Sequence, residues 1–423
     1  MGARPGGAGV TETAPSDQPP IGAKVALVLG LALMAMGQTV LFALLGPVSR
    51  ELGLTEIMVG GIISLAAVTV VLGSPWWGRR VDRWGRRPVF LMATCGLGVT
   101  TFLFALTLQA GLAGLWTGVT AFALLALARM IYGFAVTGAQ PAAAAWMADN
   151  TTAEERTGGM ALIGAAFGLG AILGPTLAWL MSGLPLLAPL YLIAGLALCA
   201  TLLAWLTLPE TVPVEAAMAQ HLSPTDPRLR GTLLIVLTAF IVVASIQQSV
   251  AFYVQDTAGL DAAGTAARVG QAMAVLALLM FLTQGGIAAL KPDPRRLIPL
   301  GAAIGCAGCV VLALWPSHVG VLLAHALFGL GFGAIIPGLQ GRASLAVGPQ
   351  EQGATGGLVA AGMAAGYAIG PVFGTALYTV LPVLPYLVGA GLMAGVVVAT
   401  LPAILRRRGD DIGSGTVDGP SGP

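Results

Sequence analysis

The fold is decided by the stretch GRRVDRWGRR, residues 78–87, which lies between two long apolar segments. Six of these ten residues are charged, whereas only 9% of the whole chain is. A cluster this charged between two segments of membrane length predicts a short loop in water. Its five Arg predict that the loop lies on the cytoplasmic side. Asp82 is the only acidic residue in the stretch, and it is placed to pair with an Arg or to cap a helix.

The composition indicates a membrane protein. Hydrophobic residues make up 57% of the chain and its mean hydropathy is +0.88, against roughly 45–50% apolar residues in soluble domains. The net charge of +2 gives no reason to expect a nucleic-acid partner. The four Cys lie in apolar segments, so we expect no disulfide framework, no metal site and no cofactor. A phosphate-binding loop motif is absent from the sequence, and no catalytic set falls in the predicted loops, which excludes ATP-driven transport and enzymes.

Apolar segments long enough to cross a bilayer occur twelve times, since a span needs about 20 such residues. Only helices fit segments this long and unbroken. The predicted spans are 23–46, 57–77, 88–109, 113–146, 157–182, 186–208, 231–255, 265–290, 296–315, 317–346, 352–379 and 381–405.

The cations predict the orientation of these spans. Of the 20 Lys and Arg, 17 fall on one side, Arg50 and Arg268 fall on the other, and Arg129 lies inside the fourth span. This bias places both termini in the cytoplasm and the protein in the cytoplasmic (inner) membrane. The predicted organisation is a disordered cytoplasmic tail (1–22), a six-helix bundle (23–208), a cytoplasmic linker (209–230), a second six-helix bundle (231–405) and a cytoplasmic tail (406–423).

The second half of the chain repeats the first. Pro141 and Gly174-Pro175 recur 196 residues later as Pro337 and Gly370-Pro371, and Arg86-Arg87 recurs 209 residues later as Arg295-Arg296. The fold class is therefore an all-α membrane protein of twelve transmembrane helices in two pseudo-symmetric six-helix bundles. A parallel repeat of this kind predicts a substrate site between the halves near the midplane.

The charged stretch resembles the signature G-x-x-x-D-R-x-G-R-R of the major facilitator superfamily. Every defined position is filled: Gly78, Asp82, Arg83, Gly85, Arg86 and Arg87. The resemblance covers residues 23–405 and implies the major facilitator fold, alternating access and a gating role for this loop.

Two further motifs carry the resemblance. The sequence Leu125-x-x-x-Arg129-x-x-x-Gly133 is similar to the fourth-span motif, whose Arg is tied to proton transfer or substrate contact; Tyr132 stands where many members have Gln. A buried Arg normally faces a cavity or a partner, although it could also pin helices together. The segment Gly170-x-x-x-Gly174-Pro175 resembles the exporter motif in part. It lacks the paired Gly after the Pro, so plain helix packing stays open as its role.

Polar and aromatic residues inside the spans are candidates for the substrate cavity, because a buried amide needs a partner or a wet surface. The candidates are Gln38, Phe42, Tyr132, Phe167, Gln247, Gln248, Phe252 and Tyr367. His325, the repeat equivalent of Arg129, could carry a proton or pack between helices. All 18 acidic residues fall outside the middle of the spans, which disfavours a strongly cationic substrate.

These features predict a secondary transporter that moves a small organic molecule, with proton-coupled efflux as the leading hypothesis. A proton-linked importer of a metabolite or organic anion is the alternative, and a transport-dead scaffold or receptor is a third. The expected partners are the substrate, protons and the lipid bilayer, and the expected state is a monomer.

Overall fold

A computed structural model describes residues 21–151, 156–210 and 222–413. These residues form thirteen α-helices and one short 3₁₀ helix, Pro349–Glu351. The helices are α1 (Ile21–Glu51), α2 (Glu56–Trp84), α3 (Arg86–Leu112), α4 (Gly118–Val136), α5 (Ala139–Asp149), α6 (Arg156–Leu180), α7 (Ala188–Thr207), α8 (Arg230–Ala258), α9 (Ala262–Leu290), α10 (Pro294–Leu314), α11 (His318–Ser344), α12 (Gln352–Val380) and α13 (Leu384–Gly413).

The twelve predicted spans are confirmed: the described residues contain twelve helical segments long and apolar enough to cross a membrane. Helices α4 and α5 together form the fourth span, 118–149. The span is interrupted after Val136, close to Pro141, which has no N–H to donate to the Thr137 carbonyl. The equivalent Pro337 lies within the continuous helix α11. Helix α13 continues to Gly413, past the predicted end of the last span at residue 405. The predicted tail at 1–20 and the linker segment 211–221 lie outside the described residues.

Glycines on α6 and α12 bring the repeated helices into close contact. A methyl group added to Gly174 would lie 2.2 Å from the Thr39 hydroxyl of α1, and one added to Gly370 would lie 2.6 Å from the Ala244 Cβ of α8. Helix α6 thus packs on α1 in the first half as α12 packs on α8 in the second. The Gly/Pro repeat is therefore a repeat of helix packing, in which small residues let helices approach.

The two halves meet mainly toward one end of the helices. We call the end that carries Arg79–Arg87 the basic face and the other end the opposite face. Toward the opposite face, a methyl group on Gly60 of α2 would lie 2.6 Å from the Pro371 carbonyl oxygen, and one on Gly270 of α9 would lie 2.6 Å from that of Pro175. We call these two crossings the glycine seams. They are equivalent in the repeat.

The helices separate toward the basic face. Between α6 and α9 the contact continues to Gly168, where an added methyl group would lie 3.6 Å from Phe281. One turn further on, no described atom lies within 4 Å of a methyl group placed on Gly164 or Gly286. The halves are therefore closed at the opposite face and apart at the basic face.

Candidate functional site

The signature stretch joins α2 to α3 with a one-residue break. Gly85 has φ 88°, in the left-handed region that favours glycine, so the predicted loop is shorter than expected and the charges lie on helix ends. Arg86 Nε forms an ion pair of 2.7 Å with Asp149 Oδ2, and Arg87 Nη1 forms one of 3.1 Å with Glu210 Oε1. Asp82 has no hydrogen bond or ion pair with any described residue. These contacts tie Arg86 to the first half and Arg87 to the start of the linker.

The remaining signature positions lie around this break. Arg83 is exposed, and no described atom lies within 4 Å of a methyl group placed on Gly78. Arg80 lies between the rings of Trp76 and Trp84, with its Cζ at 4.7 and 4.5 Å from their centroids.

Arg129 is enclosed between α1, α3 and α4. Its side chain lies over the Tyr132 ring, with Cζ 4.0 Å from the centroid, and over Phe104 at 5.6 Å. Its Nη2 donates to Gln38 Oε1 at 3.1 Å, whereas its Nε has no partner among the described residues. The residue is only 2% exposed, and no carboxylate of the described chain pairs with it. Three predicted site residues, Arg129, Gln38 and Tyr132, thus lie together, and the buried positive charge of Arg129 faces the interior of the bundle.

A second group of predicted residues forms an aromatic pocket in the second half. The Tyr367 hydroxyl lies 3.5 Å from Gln247 Oε1, and the Tyr367 ring meets Phe240 edge to face at 5.6 Å. Both polar groups line a cavity of about 70 Å³, which we call the aromatic pocket. Its other lining residues are Ala239, Phe240, Val243, Leu276, Met280, Phe332 and Ile336. Its walls come from α8, α9, α11 and α12, and three of these helices contact the first half.

The other cavity candidates lie elsewhere. Phe42 is buried in the large apolar core, and Phe167 is partly buried against a smaller cluster in the first half. Gln248 is buried, and its Oε1 has no partner among the described residues. Phe252 is fully buried near the opposite face. Sequence alone did not separate these residues from Gln247 and Tyr367, because their helices are apolar on every side.

His325 is fully buried in α11. Its Nδ1 lies 2.8 Å from the Val321 carbonyl oxygen, and its ring meets Phe328 edge to face. Its Nε2 has no hydrogen-bond partner in the described part of the chain. This environment fits a residue that packs between helices better than one that exchanges protons with water.

A charged cluster that the sequence did not reveal joins the halves at the opposite face. Both Nη atoms of Arg50, on α1, bond to the Asp256 carboxylate of α8, with 2.9 Å between Nη2 and Oδ2. Arg50 also bonds to Glu56 of α2 at 2.9 Å, and the Tyr378 hydroxyl of α12 donates to Asp256 at 2.5 Å. The ring of Phe252 lies 5.2 Å from the guanidinium carbon. Arg50 Nη1 also donates to Gln255 Oε1 of α8 at 3.3 Å. We call these residues the Arg50 cluster.

The Arg50 cluster contains every side-chain hydrogen bond or ion pair that crosses between the halves among the described residues. In the sequence, Arg50 reads as a cation in a loop. One sequence feature could have indicated this contact: Arg50 and Asp256 lie at the ends of spans one and seven, which are equivalent helices of the repeat.

Comparison with known proteins agrees with this architecture. The family model described as Major Facilitator Superfamily matches residues 27–356. The tetracycline resistance protein, class B, of Escherichia coli is 28% identical over 372 residues, which cover 84% of this chain and 88% of that protein. Multidrug resistance protein 1 of Bacillus subtilis (strain 168) is 24% identical over 360 residues, covering 84% and 89%.

Among solved structures, the fold is similar to that of a bacterial homologue of the human lysosomal transporter Spinster in an inward-facing and occupied conformation. The TM-score is 0.68 at 16% identity, with 92% of this chain and 96% of that chain covered. The twelve spans, the repeated halves and the signature stretch agree with the family match: this chain belongs to the Major Facilitator Superfamily and is a multi-pass membrane transporter rather than an enzyme.

Proposed function

We propose that this chain exports small, largely apolar organic molecules and couples their export to proton entry. The aromatic pocket is the observation that carries this proposal. Phe240, Phe332 and Met280 offer aromatic and adaptable apolar contacts, while Gln247 and Tyr367 offer an amide and a hydroxyl. At about 70 Å³ the pocket fits one ring-sized part of a substrate together with a polar substituent, and the rest of the substrate would extend out of it. No acidic residue lines it among the described residues, which agrees with the expectation against strongly cationic substrates.

The conformation closed at the opposite face is the one in which an exporter takes up its substrate. If the basic face lies in the cytoplasm, as the cation distribution predicts, this conformation is open to the cytoplasm and can load a substrate from inside the cell. Relatives named for tetracycline and multidrug resistance agree with export of organic molecules.

Arg129 is the proposed coupling residue, and His325 is the weaker candidate. Arg129 bonds to Gln38, which lies on α1 together with Arg50. A change in the hydrogen bonding of the buried guanidinium can therefore reach the contact between the halves through a single helix. The enclosed ring of His325 offers no comparable connection.

The proposal can be tested in everted membrane vesicles. Proton release driven by substrate is measured for a panel of neutral, zwitterionic and anionic aromatic compounds. We expect neutral or zwitterionic compounds to be transported, and Tyr367→Phe and Gln247→Ala to weaken their transport. Tyr191→Phe is the matched control, since Tyr191 bonds to Gln109 away from the pocket. Transport that neither pocket variant alters would refute the pocket as the substrate site.

Transport of an organic anion is the second candidate, because the charge of Arg129 has no carboxylate partner among the described residues. The same panel separates the two functions. Preferential movement of anionic compounds, lost in Arg129→Gln, would favour this alternative, and the absence of any flux would leave the scaffold hypothesis.

A further inference from the structure

Two arginines without ion pairs lie at the basic face of the second half. Arg295 at the start of α10 and Arg342 at the end of α11 line one pocket of about 220 Å³. Both side chains are partly buried, and because they line the same pocket their like charges repel. Neither forms a hydrogen bond or an ion pair with another described residue.

The other polar groups of this pocket leave its positive charge in place. The Thr232 side chain lines it, is 2% exposed, and has no hydrogen-bond partner among the described residues. The Thr400 hydroxyl donates to the Val396 carbonyl oxygen at 2.7 Å. Arg228 also lines the pocket and pairs with two carboxylates, Asp226 and Glu351, at 2.8 and 2.9 Å. This group carries a net negative charge, and with Arg295 and Arg342 the net charge around the pocket stays positive.

The repeat shows what is missing from this pocket. Arg295 corresponds to Arg86, which the first half neutralises with Asp149. The residue that corresponds to Asp149 is Leu345, and Leu345 lines the same pocket. The second half has therefore replaced the internal carboxylate by an apolar residue and added a second cation, Arg342. A partly buried Arg without an anion is costly, so an anion from outside the chain would complete the site.

We infer that this pocket binds a phosphate-type oxyanion between Arg295 and Arg342, with the Thr232 hydroxyl as a further donor. Arginine binds phosphate oxygens through charge-assisted hydrogen bonds. Since a water molecule occupies about 30 Å³ of liquid, the pocket has room for a phosphate group. It lies at the basic face between the start of α8, the start of α10, the end of α11 and Thr400 of α13. Basic pockets between spans on the cytoplasmic side bind anionic lipid head groups. The phosphate can belong to a lipid or be free in solution.

The test uses the full-length protein in two arms. In the lipid arm, native mass spectrometry counts phosphatidylglycerol retained from nanodiscs of phosphatidylcholine with and without phosphatidylglycerol. In the soluble arm, inorganic phosphate is titrated in detergent against chloride of equal ionic strength, and binding is measured as an increase in Tm.

The variants are chosen to change the pocket without disturbing the fold. Leu345→Asp supplies the carboxylate found in the first half, at an exposed position, and Arg342→Gln removes one cation. Arg342→Lys keeps the charge and reports whether the site still folds. Arg296→Gln removes an exposed neighbouring charge on the same helix and is the matched control.

We expect Leu345→Asp and Arg342→Gln to weaken binding roughly tenfold, as the loss of a hydrogen bond to a charged group does, while Arg296→Gln keeps it. If the variants weaken binding only in the lipid arm, the ligand is a lipid head group. If they weaken binding in the soluble arm, the ligand is free phosphate. Equal binding by the wild type and Leu345→Asp in both arms would overturn the inference. So would an equal loss in Arg296→Gln, which would indicate only general surface charge.

Discussion

Loss of the ion pair between Arg50 and Asp256 should open the opposite face. Asp256→Asn removes the carboxylate charge that α8 presents to α1, while Arg50 keeps its contact with Glu56 in its own half and its longer hydrogen bond to Gln255 of α8. The conformation closed at the opposite face loses a contact that the open conformation cannot form. We therefore expect the population to shift toward the open conformation.

The magnitude follows from the exposure of the pair. Exposed ion pairs contribute about 0.2–1 kcal/mol, and hydrogen bonds to charged groups about 1.5–3 kcal/mol. The side chains of Arg50 and Asp256 are 28% and 40% exposed, and Phe252 covers part of the guanidinium, so the pair lies between these cases. A loss of about 1–2 kcal/mol changes the ratio of the two conformations roughly five- to thirtyfold.

A cysteine in a glycine seam reports this shift. Thr375 is fully buried next to Gly60, so Thr375→Cys becomes accessible only when the halves part. The four native Cys are first replaced by Ser, and the rate of labelling by a membrane-impermeant thiol reagent is then measured from the opposite face. Asp256→Asn should raise this rate by the factor given above.

Glu56→Gln is the matched control for the Arg50 pair. It removes a carboxylate that contacts the same Arg at 2.9 Å, but Glu56 belongs to the same half as Arg50. We expect it to raise labelling much less than Asp256→Asn does. Equal labelling rates in the two variants, or no change in either, would refute the idea that the contact between the halves holds this face closed.

Four further predictions concern other parts of the molecule. Arg129→Lys keeps the buried charge but loses the planar fork, so substrate-driven flux should fall about tenfold with normal protein yield; normal flux would show that only the charge matters. Asp82→Asn should lower flux at equal expression, because we expect its carboxylate to hold the basic-face ends together in the other conformation, and unchanged flux would leave the loop a role in orientation only. Gly174→Ala should lower the free energy of unfolding by about 1–3 kcal/mol, since its methyl group would lie 2.2 Å from a facing hydroxyl; Gly164→Ala, at an open helical position, should not lower Tm. Bonds from Arg228 hold the pKa of Glu351 below its ordinary value, so their stabilising effect is present at neutral pH and is lost as the pH falls through that lowered pKa. The Tm difference between wild type and Glu351→Gln at pH 7 should therefore vanish well below the ordinary carboxyl pKa of about 4.3, and a difference that persists there would contradict this origin.

The architecture could be predicted because two strong signals agree. The length of the apolar segments is set by the bilayer, and the recurrence of Pro141 and Pro175 as Pro337 and Pro371 marks the two halves. The Arg129 group was also predictable in part, since a charge inside a span requires polar or aromatic neighbours, and Gln38 and Tyr132 are such residues.

The aromatic pocket and the Arg50 cluster were harder to predict. A helix that is apolar on all sides gives no periodic signal for the side that faces a cavity. The sequence around Phe252 and Tyr367 therefore does not reveal that only Tyr367 lines the aromatic pocket. Arg50 and Asp256 are 206 residues apart, and their contact depends on which face of the molecule is closed. A sequence pattern describes helices and does not specify a conformational state.

The glycine seams have a consequence for how the opposite face can change over evolutionary time. At each seam a glycine packs against a proline carbonyl oxygen of the other half, and the Thr375 hydroxyl also lies against Gly60. A larger residue at Gly60 or Gly270 would therefore push the halves apart. The seams therefore set a fixed closest approach for this face. Among the described residues, side-chain hydrogen bonds and ion pairs cross between the halves only at Arg50. Single substitutions there can stabilise or destabilise the closed conformation without changing how the helix backbones pack. Variants that differ in how readily this face opens should accordingly carry their changes in the Arg50 cluster and keep the glycines.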